Sequence, residues 1–333
     1  FLKNRNRILS RDELLKRVWG YKAAITWTAP GSGVITGTAD VAGCPFTAAL
    51  TETGAGTGAV TDFADDTACT GPNFWDDAEN WSDGSLPADT DTVVIAGSSV
   101  PICWGLDQSA IELAALHVKQ SFEGAIGHHW PQFATSADGQ TAVATAPEYR
   151  DTYLTIGFDT LEIGDHDGPQ VPNGASRIKI DNDEAAASVT TVHNTAAFSS
   201  DLNMPCVRLK YANAGADVEV RSAPGGVAIA ADEPSETSTV GDVSVADESE
   251  ATRVFVGEGV TIANFTQQGG RNVLRAAGTV TAVELEGGVL TFAGSQKATT
   301  INVNGGTLHL NCVPSTGNCA DTVNVDGGIV DTR

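Results

Sequence analysis

Two short acidic runs are the first places where residue type and spacing point to chemistry. Asp165-His166-Asp167-Gly168 and Asp181-Asn182-Asp183-Glu184 set carboxylates on alternate positions, and carboxylate oxygens are the ligands that Ca²⁺ prefers. Asp165, Asp167, Asp181 and Asp183 are therefore the candidate metal ligands. Neither run completes a calcium-loop pattern, and solvated corners of an acidic chain account for both. The expectation is no resident metal and no cofactor. His128-His129 could share a metal, but no carboxylate stands at useful spacing from the pair, which reads as a surface loop. Hydrolysis or elimination on a polysaccharide needs paired carboxylates facing one groove. Glu284, Glu286, His309 and Asp326 are the available groups, and they are read as solvent-facing residues at non-equivalent positions. No Gly-x-Ser-x-Gly elbow, phosphate loop or His-Glu-x-x-His occurs. No residue is assigned a catalytic role, and the chain is expected not to be an enzyme.

Six cysteines stand at 44, 69, 103, 206, 312 and 319 without a CxxC pair, which argues against structural zinc. Cys312 and Cys319 flank a Pro-Ser-Thr-Gly turn, so a disulfide could clamp that turn. Cys44 and Cys69 could do the same for the segment between them, and buried thiols are the alternative for both pairs. Trp75, Trp81 and Trp104 are large rings on irregular sequence. They suit a plug for the end of a hydrophobic core, with an exposed platform for sugars as the rival use.

The element that must position these groups is a repeat. Glycine pairs recur at Gly269-Gly270, Gly287-Gly288, Gly305-Gly306 and Gly327-Gly328, at steps of 18, 18 and 22 residues. Apolar residues alternate on either side: Phe265 and Gln267, Val283 and Leu285, Ile301 and Val303, Val323 and Val325 before the pair; Leu290 and Phe292, Leu308 and Leu310 after it. A period of two on both sides of a tight turn, repeated at constant length, predicts stacked strands in a solenoid. At ~3.3 Å per residue one unit runs roughly 60 Å around, enough for two or three strands and their corners. The pair supplies a corner because glycine takes positive φ without a steric penalty. The longer step holds residues 311–319, an excursion from one corner. An antiparallel sandwich with Gly-rich hairpins is the competing architecture. The predicted fold class is all-β: a small N-terminal β module followed by a parallel β-helix with rungs of about 18–22 residues.

Bulk composition excludes two partner classes. The chain has 333 residues, with Lys plus Arg at 19 against Asp plus Glu at 42, a formal net charge of −23. Phosphate contacts need a basic face, so nucleic acid is not an expected partner. No apolar run reaches the length that crosses a bilayer as a helix, so no membrane partner is expected.

Four segments are expected: 1–22, 23–70, 71–127 and 128–333. Residues 1–22 are basic, with seven cations against Asp12 and Glu13. Ser10-Arg11-Asp12-Glu13 reads as a capping box that opens a helix. The string Ile8 to Tyr21 resembles a helix of the winged-helix DNA-binding domain of bacterial response regulators. The recognition helix and wing of that family do not follow; Ala24-Ile25-Thr26-Trp27 begins a β-rich stretch instead. Residues 23–70 read as a small β-sandwich-like module, with strands at 34–39 and 46–50. Residues 71–127 open and cap the solenoid, and 128–333 form its rungs and corner loops.

Gly71-Pro72-Asn73-Phe74-Trp75-Asp76-Asp77-Ala78-Glu79-Asn80-Trp81-Ser82, with Trp104-Gly105-Leu106-Asp107 and Ser121-Phe122-Glu123-Gly124 downstream, resembles a family of uncharacterised proteins of tailed phages and prophages. Tyr153-Leu154-Thr155-Ile156-Gly157 and Arg177-Ile178-Lys179-Ile180-Asp181 extend the likeness, which then spans residues 24–333. In that family a Trp-rich motif opens a β-helix. The resemblance implies a virion structural protein: a capsid decoration, head fibre or tail fibre component. It would be a homo-oligomer, a trimer if a fibre, in contact with other virion proteins and with host surface glycans as a further partner. A secreted bacterial surface adhesin, or a β-helix protein that binds or degrades glycans, is the alternative.

Overall fold

The computed structural model describes residues 25–28, 36–39, 71–127, 133–135, 142–144, 153–165, 177–184, 186–193, 205–230, 236–248, 250–294, 297–312 and 319–332. The chain divides into two compact units, Phe1–Gly71 and Pro72–Arg333. In the first, β1 (Ile25–Thr28) and β2 (Thr36–Ala39) pair antiparallel. The helix expected in residues 1–22, the strand at 46–50 and His128-His129 lie outside the described residues.

The second unit is a parallel β-helix. Its early strands are β3 (Thr92–Ile95), β4 (Asp107–Val118), a separate antiparallel pair β5 (Phe133–Thr135) and β6 (Ala142–Ala144), β7 (Leu154–Ile163), β8 (Ile178–Asn182) and β9 (Ser188–Val192). There follow β10 (Val207–Tyr211), β11 (Ala216–Val220), β12 (Val227–Ile229), β13 (Ser238–Val245), β14 (Val254–Val256) and β15 (Val260–Gln267). The regular end holds β16 (Arg271–Leu274), β17 (Val280–Leu285), β18 (Val289–Gly294), β19 (Ala298–Val303), β20 (Thr307–Cys312), β21 (Ala320–Val325) and β22 (Ile329–Asp331). Eighteen of these strands form one sheet. From β8 onward each strand pairs in parallel with the strand two places later, as β17 does with β19 and β18 with β20. The even-numbered strands thus build one face and the odd-numbered strands the other. β7 joins the two faces: Leu154 and Thr155 pair with β8, Thr160–Ile163 with β9.

The register carries the repeat. Arg271 pairs with Val289, Val289 with Thr307 and Thr307 with Ile329, offsets of 18, 18 and 22. Earlier rungs vary: Ile178 pairs with Val207, Val207 with Val227 and Val227 with Val254, offsets of 29, 20 and 27. The expected 18–22 residues thus hold without exception only towards the C-terminal end. The extra residues lie between strands, for example between β9 and β10, because a residue added inside a strand would turn its inward side chains to solvent.

Inside the coil, equivalent residues stack. Phe265, Val283 and Ile301 form one fully buried column, Leu290 and Leu308 part of another. Burying each such side chain contributes about 1.5–3 kcal/mol. Val323 and Val325 continue the pattern but are 40% and 52% exposed, because among the described strands β21 pairs with β19 alone. In β9 the inward residues are Ser188, Thr190 and Val192, while Val189 points out at 49% exposure. Thr190 is accommodated because its hydroxyl meets Tyr211 Oη at 2.8 Å.

The glycine pair answers two separate demands. The second member has positive φ: 79° at Gly270, 73° at Gly288, 71° at Gly306 and 76° at Gly328. The first member lies against the backbone of the rung before it. A Cβ added at Gly287, Gly305 or Gly327 would fall within 3.0 Å of the carbonyl oxygen of Gln268, Glu286 or Asn304. Successive corners thus rest backbone on backbone. At Gly288 both demands coincide, since a Cβ there would also meet Gly270 O. Gly97 has φ of 62° with nothing within 4 Å of the same position. Gly288→Ala should therefore cost about 3 kcal/mol or more, and Gly97→Ala only about 1–2 kcal/mol of backbone strain. Urea-unfolding midpoints of the two variants compare them directly, and equal losses would contradict the stacking argument.

Candidate functional site

The residues with chemical potential are held on the outside of the coil, and the register determines whom they meet. Asp165 is held by Lys119, whose Nζ lies 3.2 Å from Oδ1, and by the Gln120 backbone N–H, which donates to Oδ2 at 3.2 Å. Asp181 accepts from Lys210 Nζ at 2.8 Å, its neighbour one rung on. Asp167 lies outside the described residues. No group of three or more His, Cys, Asp or Glu residues suited to a metal occurs among the described residues. Among the described residues, Asp165 and Asp181 are held by separate lysines.

Asp183 is the perturbed member. Burial pushes its carboxyl up from the ordinary value, and the carboxylates of Asp181, Asp107 and Glu184 add to the rise, against a backbone hydrogen bond that lowers it. Beside this cluster sits a cation–π stack that sequence reasoning missed. Lys179 Nζ lies 4.9 Å and Lys210 Nζ 4.7 Å from the centre of the Tyr153 ring. The three side chains come from positions 153, 179 and 210, and only the rung register makes them neighbours. Lys179 is 1% exposed, and the face of the Tyr153 ring attracts its ammonium. On the other face, His117 Nδ1 lies 2.9 Å from Glu162 Oε2, again across one rung.

Glu284, Glu286, His309 and Asp326 are distributed over both faces. Glu284 accepts from Asn302 Nδ2, and Asn324 Nδ2 donates to Asn302 Oδ1 at 2.8 Å, a ladder running up three rungs. His309 pairs with Asp331 at 3.5 Å. The expectation that these four residues occupy non-equivalent positions needs one correction. Leu285, Val303 and Val325 are in register, so Glu286, Asn304 and Asp326, which follow them, share one corner position. Two carboxylates thus stand in one column, separated by an asparagine. The four-residue excursion in the last repeat hides this equivalence from a fixed-period count, although alignment on the glycine pair reveals it.

At the N-terminal end of the coil, Trp75 is 1% and Trp104 7% exposed. Trp75 and Trp81 meet edge to face with ring centres 4.8 Å apart, and Trp81 Nε1 donates to Trp75 O at 2.8 Å. Phe74 stacks on Trp104 at 6.0 Å. Buried rings present no face to a sugar, and Trp81 packs against the core. Cys319 is disulfide-bonded; the side chain of Cys312, its expected partner, lies outside the described residues, as do Cys44 and Cys69. Cys103 and Cys206 carry thiols outside any disulfide. Among the described residues, three buried amides, Asn182, Gln267 and Asn272, interrupt the apolar interior. Asn272 accepts from the Val254 N–H at 2.7 Å and donates to Gly269 O at 3.1 Å, while Gln267 donates to Gly287 O at 2.9 Å with its own oxygen unmatched.

Comparison with protein-family models, with curated protein sequences and with solved structures gives no match to this chain.

Two substitutions check these assignments. Trp75→Ala should destabilise the coil by about 3–5 kcal/mol, as expected for emptying a large buried site; a change in unfolding midpoint near zero would show that the ring does not close the core. Asp183→Asn should do the opposite. A carboxyl raised above its ordinary 3.8 holds its proton more tightly in the folded state, so ionisation at neutral pH opposes folding. The variant should be the more stable at neutral pH, and its advantage should vanish as the pH falls below the ordinary carboxylate value. A thermal-unfolding series from neutral to acid pH reads this, and a constant difference across the series would refute it.

Proposed function

We propose that this chain is a non-enzymatic structural component of a tailed-phage particle, a capsid decoration, head fibre or tail fibre protein. Its β-helix serves as a rigid rod, and the basic N-terminal region docks it to its assembly. The observation that carries this reading is the state of the outward polar side chains. His117 with Glu162, Asp181 with Lys210 and Glu284 with Asn302 are engaged with one another from rung to rung. Such ladders brace a surface; a catalytic groove would instead leave acid and base groups directed at a shared space. The phage setting rests on the Trp-rich resemblance. Copies would be arranged symmetrically, as trimers in a fibre, with other virion proteins as partners and host surface glycans as a further contact.

Mass spectrometry of purified particles from the native source tests the proposal. Stoichiometric copies of this polypeptide, in a number that fits a symmetry of the capsid or tail, are the expected result. Recovery from cell-surface fractions, or as a monomer free in the medium, would overturn it in favour of an adhesin or a glycan-active protein.

A further inference from the structure

The column formed by Glu286, Asn304 and Asp326 contains an amide with unusual surroundings. Asn304 is exposed, and its side-chain amide makes no hydrogen bond among the described residues. Its neighbours differ. Asn302 is held by Glu284, Asn324 by Asn302, Asn264 by Asp242 and Asn272 by two backbone groups. Among the described residues, Asn304 is also the one asparagine followed by glycine. That glycine is fixed by architecture, since a Cβ at Gly305 would meet Glu286 O. The corner therefore requires beside Asn304 the residue that least hinders attack on its side chain.

We infer that Asn304 is a site of spontaneous deamidation. The Gly305 nitrogen loses its proton to solvent base and bonds to Asn304 Cγ; the Cγ–Nδ2 bond breaks and ammonia leaves. Water then opens the resulting five-membered imide at either carbonyl, giving aspartate or isoaspartate. No cofactor or oxidant takes part. The corner opposes the attack only weakly. Gly305 N–H donates to Leu285 O at 3.2 Å, against 2.8 Å for Asn304 N–H to the same oxygen, so the attacking nitrogen is held by a long, shared bond that must open first. The product has consequences for the stack. A new carboxylate would lie ~4.8 Å from the rungs of Glu286 and Asp326, with like charge on both sides. Isoaspartate would also lengthen the main chain at a corner where successive backbones touch.

The test is peptide mapping of the full folded chain after incubation in mildly alkaline buffer, with fragmentation that separates aspartate from isoaspartate. Acid forms should accumulate at Asn304 several-fold faster than at Asn302 and Asn324, with isoaspartate among them. Asn304→Gln, which keeps the amide but cannot close a five-membered ring by this route, should abolish the signal while leaving the unfolding midpoint unchanged. Conversion at Asn304 no faster than at Asn302, or undiminished acid formation in that peptide of the Gln variant, would overturn the assignment.

Discussion

The structure depends on one contact: the backbone of each glycine-pair corner resting on the backbone of the corner before it. Gly287 over Gln268, Gly305 over Glu286 and Gly327 over Asn304 leave no space for a side chain. Close approach at the corners lets the flanking strands lie at hydrogen-bonding distance on both faces, and that pairing aligns each inward side chain with its equivalent. The hydrophobic columns follow from the register, and the register follows from the corners. An 18-residue unit has too little surface to bury alone, so its stability lies largely in its contacts with the neighbouring rungs.

The same register organises the outside. A side chain meets the residue one rung away, so polar groups 45 or 29 positions apart come into contact, as in the hydrogen bond of His117 with Glu162 and the ion pair of Asp181 with Lys210. In a chain of net charge −23 this matters, because unpaired carboxylates stacked in columns would repel one another. Uncharged residues between acidic ones moderate that repulsion, as Ser244 and Thr266 do between Glu219 and Glu284 in one column.

How far the sequence could be read depended on corner length. From Phe265 onward the corners are short and the glycines mark each turn, so the strands, the inward residues and the repeat length were all legible. Upstream, loops of variable length break the period. Val189 and Val192 look like a matched apolar pair, yet three positions cannot separate two residues on one face of a strand, and the buried partner of Val192 is Thr190. The double pairing of β7 left no local mark either. The Tyr153, Lys179 and Lys210 cluster was hidden for the same reason: its members are ordinary residues until the offsets between rungs are known. The acidic runs were visible from the start, but the lysines that hold Asp165 and Asp181 come from other rungs.

The most direct measurement of this account is a set of distances along one outward column. Thr191, Glu219, Ser244, Thr266, Glu284, Asn302 and Asn324 follow one another in register, six steps in all. With one spin label at Thr191 and the second moved from Thr266 to Glu284, Asn302 and then Asn324, the separation should grow by ~4.8 Å per step, to roughly 29 Å at the last. Distances that rise evenly despite the unequal sequence gaps would establish the rung stack from end to end. Distances that alternate between short and long, as strands running back and forth in a sandwich would give, would contradict it.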